Sequence, residues 1–341
     1  MERNFQIQEP IVCYLEQQNT YCFSPNGLYL AALSSKSSIK IIECSTLQEV
    51  RQITCAGDIS SIEWSPDSEL LLVLMQNLNS IQVYFVKQTK QMQNQLTASY
   101  ASLSGGIVDT ESVSWSPDSQ CVLVYGYQAC TLSIWDITHH FIKRLPPPKN
   151  SESSVSYSPD TKFIAILTHE NGKDILAIID SQSYRRKMSF VLSTLDCRSL
   201  QWTSDSRIVY IIDSISHHLL QIVNIQTQDI FDHSAYDGFL GITVARASGN
   251  SKIIAVGGFD NYIRLLLKND KKWTVLTELL HETSFQNQQS ATIYIENGSQ
   301  FDLGDPAQLK LKDSGEKGIK DLKWAPGDKY LASISSQTPS A

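Results

Sequence analysis

The chain has 341 residues, with 28 Lys plus Arg against 35 Asp plus Glu and a formal charge of −7. So acidic a chain lacks the basic footprint that a phosphate backbone requires, which argues against nucleic acid as a direct ligand. The longest apolar runs, Leu70 to Met75 and Ile263 to Leu267, fall far short of the roughly 20 residues that span a bilayer, and the N-terminus shows no apolar secretory core, so the expected compartment is the cytosol. Charged residues make up 18% of the chain, below the roughly 25% of ordinary domains, which predicts a neutral, polar surface. Seven Cys, at 13, 22, 44, 55, 121, 130 and 197, are widely spaced and include no Cys-x-x-Cys. That pattern fits neither a disulfide framework nor a zinc site and reads as reduced core thiols.

Length alone suggests about two domains, but the chain repeats itself, and a repeat outranks length. Residues 1–18 come first, and within them Asn4-Phe5-Gln6-Ile7-Gln8 alternates like a strand. From there an aromatic residue, Ser, Pro, Asp or Asn and a small residue recur. The copies are Phe23-Ser24-Pro25-Asn26-Gly27, Trp64-Ser65-Pro66-Asp67-Ser68, Trp115-Ser116-Pro117-Asp118-Ser119 and Tyr157-Ser158-Pro159-Asp160-Thr161. Looser copies stand at Trp202-Thr203-Ser204-Asp205-Ser206, Ala247-Ser248-Gly249-Asn250-Ser251 and Trp324-Ala325-Pro326-Gly327-Asp328. Their third positions are separated by 41, 51, 42, 45, 45 and 77 residues. The period of a propeller blade is roughly 40–45 residues, and the longer steps hold insertions.

The motif is a hairpin corner: Pro presets φ for a type I turn, Ser and Asp bond the nearby backbone, and a small residue closes it. Upstream, Ser61-Ile62-Glu63-Trp64 and Ser112-Val113-Ser114-Trp115 alternate as half-buried strands do. Downstream, Leu70 to Leu74 and Phe163 to Leu167 are continuously apolar, as a strand covered on both faces would be. Third strands are expected at Ser38–Glu43, Ile81–Val86, Leu132–Ile137, Ile175–Ile179, Leu219–Ile225 and Tyr262–Leu267. Weaker fourth strands are expected near Glu49–Thr54, Phe141–Leu145 and Lys187–Leu192. Four strands per repeat predict an all-β propeller with six full blades over 19–280 and an incomplete seventh over 319–341. A β-sandwich is the structural alternative, although it does not need this regular spacing. Residues 281–318 form an inserted loop, in which Ala291-Thr292-Ile293-Tyr294-Ile295 alternates enough to be a strand. The chain stops after the second strand of repeat seven, so it reads as shortened, with residues 4–8 the expected closing strand of that blade. An open edge of that kind invites pairing with another chain.

Catalytic and ligand motifs are sparse. No Gly-x-Ser-x-Gly elbow occurs, and Gly105-Gly106 and Gly257-Gly258 lack the Lys of a phosphate cradle, so they read as bulges or tight turns. The doublets His139-His140 and His217-His218 cannot chelate by themselves, because adjacent residues on a strand point to opposite faces. Exposed loop-edge histidines are expected there. Asn297-Gly298-Ser299 reads as a chance glycosylation match. Tyr184-Arg185-Arg186-Lys187 offers paired Arg to a phosphoinositide, but Lys187 stands where such propellers have Gly, and a solvated hairpin edge is the plainer expectation. Pro146-Pro147-Pro148 predicts a stiff connector. No catalytic, cofactor or metal residue is assigned, and the partner-binding residues are left unknown.

Leu132-Ser133-Ile134-Trp135-Asp136 is similar to the third strand of a WD repeat, and Gly257 to Arg264 looks like the turn whose Asp, here Asp260, supports the blade's hydrogen-bond network. Elsewhere Glu43-Cys44 and Phe85-Val86 replace the Trp-Asp pair. Through Ile59 to Ser65, Ile81 to Tyr84, Ala235 to Ile242 and the position of the long insertion, the chain resembles the centrosomal WD-repeat-containing protein 8 family. That resemblance implies a non-enzymatic scaffold of centrosomes, basal bodies and spindle poles. It would bind a coiled-coil adaptor and microtubule-anchoring proteins, hold microtubule minus ends, and support spindle assembly and cilium formation without a cofactor. The rival expectations are a propeller in translation initiation or RNA processing, a phosphoinositide reader, and a remnant of an enzyme.

Overall fold

The computed structural model describes residues 21–87, 100–103, 110–127, 131–139, 141–236, 240–269, 272–280, 293–297, 300–304 and 318–336. The expected closing strand at 4–8, Gly105-Gly106, His140, Cys13 and Cys130 lie outside them. The chain divides into two compact units, Met1–Glu152 and Ser153–Ala341. The first holds three four-stranded antiparallel meanders: β1 (Tyr21–Phe23), β2 (Tyr29–Ser35), β3 (Ser38–Glu43) and β4 (Glu49–Thr54); β5 (Ser61–Trp64), β6 (Leu70–Met75), β7 (Ser80–Phe85) and β8 (Ala101–Leu103); and β9 (Thr110–Trp115), β10 (Cys121–Gly126), β11 (Leu132–Asp136) and β12 (Ile142–Leu145).

The second unit holds three more: β13 (Val155–Tyr157), β14 (Phe163–Glu170), β15 (Lys173–Asp180) and β16 (Arg186–Val191); β17 (Ser199–Trp202), β18 (Ile208–Ile212), β19 (Leu220–Asn224) and β20 (Ile230–His233); and β21 (Ile242–Ala247), β22 (Ile253–Gly258), β23 (Tyr262–Asn269) and β24 (Lys272–Leu280). A hairpin of β25 (Ile293–Asn297) and β26 (Gln300–Gly304) lies within the insertion, and the pair β27 (Ile319–Trp324) and β28 (Leu331–Ser335) follows. Six four-stranded blades and the first two strands of a seventh make this a WD-type β-propeller.

The Ser-bearing corner motifs use their polar groups in two ways. Within a blade, the motif hydroxyl accepts the N–H five residues on: Ser24 from Tyr29, Ser65 from Leu70, Ser116 from Cys121 and Ser158 from Phe163, all at 2.9 Å. The N–H of Ser68 closes the turn on the Ser65 carbonyl at 2.8 Å, around Pro66 and Asp67. The last motif residue sits in the left-handed region, with φ of 65° at Ser68, 59° at Ser119, 58° at Ser206 and 59° at Ser251. Short polar side chains tolerate that region better than bulky ones, because they bond locally.

Between blades, that same left-handed serine accepts the motif N–H of the blade before it. Asn26 donates to Ser68 and Asp67 to Ser119, both at 3.2 Å, while Asp160 donates to Ser206 at 2.9 Å and Asp205 to Ser251 at 3.0 Å. A second seam runs through the aromatic position. The indole N–H of Trp64 reaches the Cys22 carbonyl, Trp115 that of Glu63, Trp202 that of Ser156 and Trp324 that of Arg246, at 3.0 to 3.3 Å. Each acceptor directly precedes the aromatic position of the neighbouring repeat, so one interaction copies itself from blade to blade.

Apolar faces fill the space between these seams. In the first unit β6 is buried along its whole length, with Leu71, Val73 and Met75 facing blade one and Leu70, Leu72 and Leu74 facing blade three. In the second unit Val209 and Ile211 pack toward blade four and Ile208, Tyr210 and Ile212 toward blade six. The apolar runs read as doubly covered strands are therefore the second strands of blades, and Ile319 and Leu322 of β27 bury the far face of blade six. The fourth strands β8, β20 and β24 carried no readable pattern, because β8 and β20 are short and β24 exposes nearly all of its residues.

Candidate functional site

Among the described residues no group of three or more His, Cys, Asp or Glu could hold a metal ion, and the described cysteines form no disulfide. Cys55, Cys121 and Cys197 are buried and Cys22 and Cys44 half-buried, close to the expected core thiols. His139 is exposed, with its ring beside Asp136, as a loop-edge histidine should be. His218 corrects the expectation for its doublet: it is 0% exposed. The reason is that it lies two residues before β19, where its ring packs 4.7 Å from Tyr236 and 6.0 Å from His233.

That buried cluster continues into blade six. Arg264 on β23 donates from Nη2 to Asp260 at 2.7 Å and from Nε to Glu278 at 2.9 Å, and its guanidinium stacks on Tyr236 and Tyr262. Asp260 also accepts the Tyr262 N–H at 3.2 Å, so the Asp singled out in sequence does support its blade. The N–H of Ala235 donates to Nδ1 of His218, which makes Nε2 the protonated nitrogen of a neutral ring. Burial lowers the pKa of His233 to about 4, with His218 and Arg264 adding to it, and burial likewise lowers His218. Nε2 of both histidines and Nη1 of Arg264 find no hydrogen-bond partner among the described residues. Gly257 stands beside a bulge in β21, and a Cβ there would lie 2.8 Å from Ile319.

Two buried carboxylates organise the connector from blade four to blade five. Asp174 on β15 accepts the Cys197 N–H at 2.9 Å and the Thr194 hydroxyl at 3.1 Å. Asp213, 0% exposed at the end of β18, accepts the N–H groups of Leu195 at 3.0 Å and Asp196 at 2.8 Å, and lies 2.6 Å from Nδ1 of His217. Three donors on one carboxylate fix the connector. Sequence reasoning missed both Asp residues, because their partners are about 20 residues away.

In the first unit a cavity of about 470 Å³ opens between blades two and three, lined by Ser60, Ser61, Glu63, Glu111, Ser112 and Glu152 among others. Burial raises the pKa of Glu63 to about 7, and the nearby Glu152 charge adds to this. Among the described residues no Lys or Arg lines the cavity. The basic run is otherwise engaged: Arg186 pairs with Glu170, and Lys187 pairs with Asp180 and covers the Phe163 ring. The Lys187 and Ser183 hydrogen bonds hold Asp180 well below the usual carboxylate range. Ion pairing of this kind fits the solvated hairpin edge and leaves Arg185 as the only cation of the run without a recorded ion pair among the described residues.

A family model described as eukaryotic translation initiation factor eIF2A matches residues 75–227. WD repeat-containing protein WRAP73 of Mus musculus is similar, 23% identical over 265 residues, which cover 78% of this chain and 55% of that protein. The chain thus spans about half the length of that relative. Similar solved structures include Kuenenia stuttgartiensis hydrazine synthase, with a TM-score of 0.47 and 15% identity over 77% of this chain and 80% of that one. The Cps50 (Swd1) β-propeller domain of Myceliophteria thermophila has a TM-score of 0.47 and 14% identity, over 78% and 87%.

Proposed function

We propose that the chain is a non-enzymatic WD-repeat scaffold of the centrosome, basal body or spindle pole, binding a coiled-coil adaptor to anchor microtubule minus ends and support spindle assembly and cilium formation. The observation that carries this reading is the similarity to WRAP73 over 78% of the chain, WRAP73 being another name for WD-repeat-containing protein 8. The seams between blades agree with it: their polar groups are committed to holding neighbouring sheets, and a rigid body with variable loops suits protein recognition. The net charge of −7 repels acidic microtubules, so attachment runs through an adaptor. Imaging the tagged chain against a centriole marker tests this. Enrichment at poles or basal bodies supports it, and diffuse or ribosome-bound signal in dividing and ciliated cells overturns it.

A second reading is favoured by the family model over 75–227: a propeller working in translation initiation. Sedimentation of the full chain with ribosomal subunits, retained at a salt concentration that strips non-specific electrostatic binding, would support that reading over the first.

A further inference from the structure

We infer that one end of blade five is a docking surface for the leucine stripe of a basic amphipathic helix. The inference rests on the coiled-coil reading above and names its surface. Leu195, Ile215 and Leu240 are 72%, 56% and 50% exposed, although large aliphatic side chains of this kind are usually buried. They stand on three loops at the same end of the blade, the connector into β17, the turn between β18 and β19, and the connector into β21.

The loops are hydrogen-bonded in line. The Leu195 N–H meets the Asp213 carboxylate at 3.0 Å, and the Gly241 N–H meets the Ile215 carbonyl at 2.7 Å. Gly241 sits so close that a Cβ would fall 2.4 Å from the Ser214 carbonyl oxygen and 2.6 Å from that of Ile215. The three side chains are therefore presented on a fixed frame.

Backbone chemistry selects the shape of the occupant. The N–H groups of Leu195, Asp196 and Gly241 and the carbonyl of Ile215 are already taken, so an added strand would find no ladder partner at these positions. A helix satisfies its own backbone and brings only side chains. Charge selects its composition. Asp196 is exposed beside Leu195, and the exposed Asp232 accepts the Ser193 hydroxyl at 2.8 Å on the same connector. The described residues of 193–197, 213–219 and 234–241 include no Lys or Arg, and Arg198, next on the connector, is half-buried and turned onto the Thr243 carbonyl at 3.3 Å. An aliphatic patch with an acidic rim is complementary to leucines flanked by Lys or Arg.

The test uses the full chain and a labelled synthetic 28-residue helix with Leu at its heptad a and d positions and Lys at the flanks, beside a counterpart with Glu for Lys. Binding of the Lys peptide that weakens roughly tenfold or more in Ile215→Asp and in Leu240→Asp, but not in Leu47→Asp of the first unit, supports the surface. Leu195→Ser serves the same comparison should an Asp variant lose its thermal transition. Equal binding of both peptides, no binding, or variants that bind as the parent does overturns it, as does sedimentation showing that the patch is covered by a second copy. In cells, variants that stay at the poles with the parent overturn the surface and leave the scaffold reading intact. A parent absent from the poles overturns the scaffold reading, and the peptide titration then decides the surface by itself.

Discussion

The carboxylate of Asp328 accepts the backbone N–H of Asn250 at 2.7 Å, and that of Gly249 at the same distance. Blades one, two, four and five make the corresponding corner contact to their neighbour with a single serine hydroxyl, so a charged bidentate acceptor holds the β27–β28 pair against blade six. Asp328→Ala should lower stability by about 1 kcal/mol, a modest figure because the site is solvent-exposed. Asp328→Ser should recover part of it. Hydrogen exchange at the amides of 249 and 250 reads the loss directly, and unchanged protection in the Ala variant would contradict the assigned role.

The indole seam gives a second test. Trp202 donates to the Ser156 carbonyl at 3.0 Å and is buried against blade four. Trp202→Phe keeps most of the packing and leaves that carbonyl without its donor, for a loss of about 1 kcal/mol. Trp202→Ala should cost about 3–5 kcal/mol, because it also opens a cavity. Urea midpoints separate the two, and equal losses would mean that the bond contributes nothing beyond the ring.

These two seams mark what the sequence could reveal. Ser65, Pro66, Asp67 and Ser68 form a turn with local chemistry, so the corners were legible from spacing, and Ser38–Glu43 and Glu49–Thr54 were placed on their strands to the residue. The exposed strand β24 was not, because its side chains alternate no burial. Asp174, Asp213 and His218 were also illegible as a site, since their partners come from other strands and connectors. A lone Asp before a Ser-rich loop looks the same whether it is solvated or clamps three donors.

The buried histidines predict acid sensitivity. His233 is neutral in the fold, its pKa lowered to about 4, whereas the unfolded chain takes up the proton near 6.5. The unfolded state therefore binds more protons between these values, and stability is lost as pH falls from about 6.5 toward 4. Arg264, Asp260, Glu278, His217 and His218 face this pair, and the cations among them oppose its charging. The loss between pH 7 and 5 should be on the order of 2 kcal/mol, and His233→Phe should flatten it. Equal slopes of unfolding free energy against pH in parent and variant would remove His233 as the cause.

Glu63 predicts the opposite slope. Its carboxyl is pushed up to about 7 by burial, with Glu152 adding to the shift, so the folded chain holds a proton that the unfolded chain releases near 4.5. Stability due to this group is complete below about pH 4.5 and declines as pH rises through 7. The Trp115 N–H approaches Oε1 of Glu63 at 3.4 Å, a contact that Gln can keep. Glu63→Gln should therefore leave stability unchanged near pH 4.5 and raise it at pH 8 by about 1–2 kcal/mol, discounted for partial exposure. Urea unfolding of both proteins at the two pH values measures the difference. A gain of the same size at both would mean that Gln acts through packing and that the Glu63 carboxylate carries no penalty in the fold.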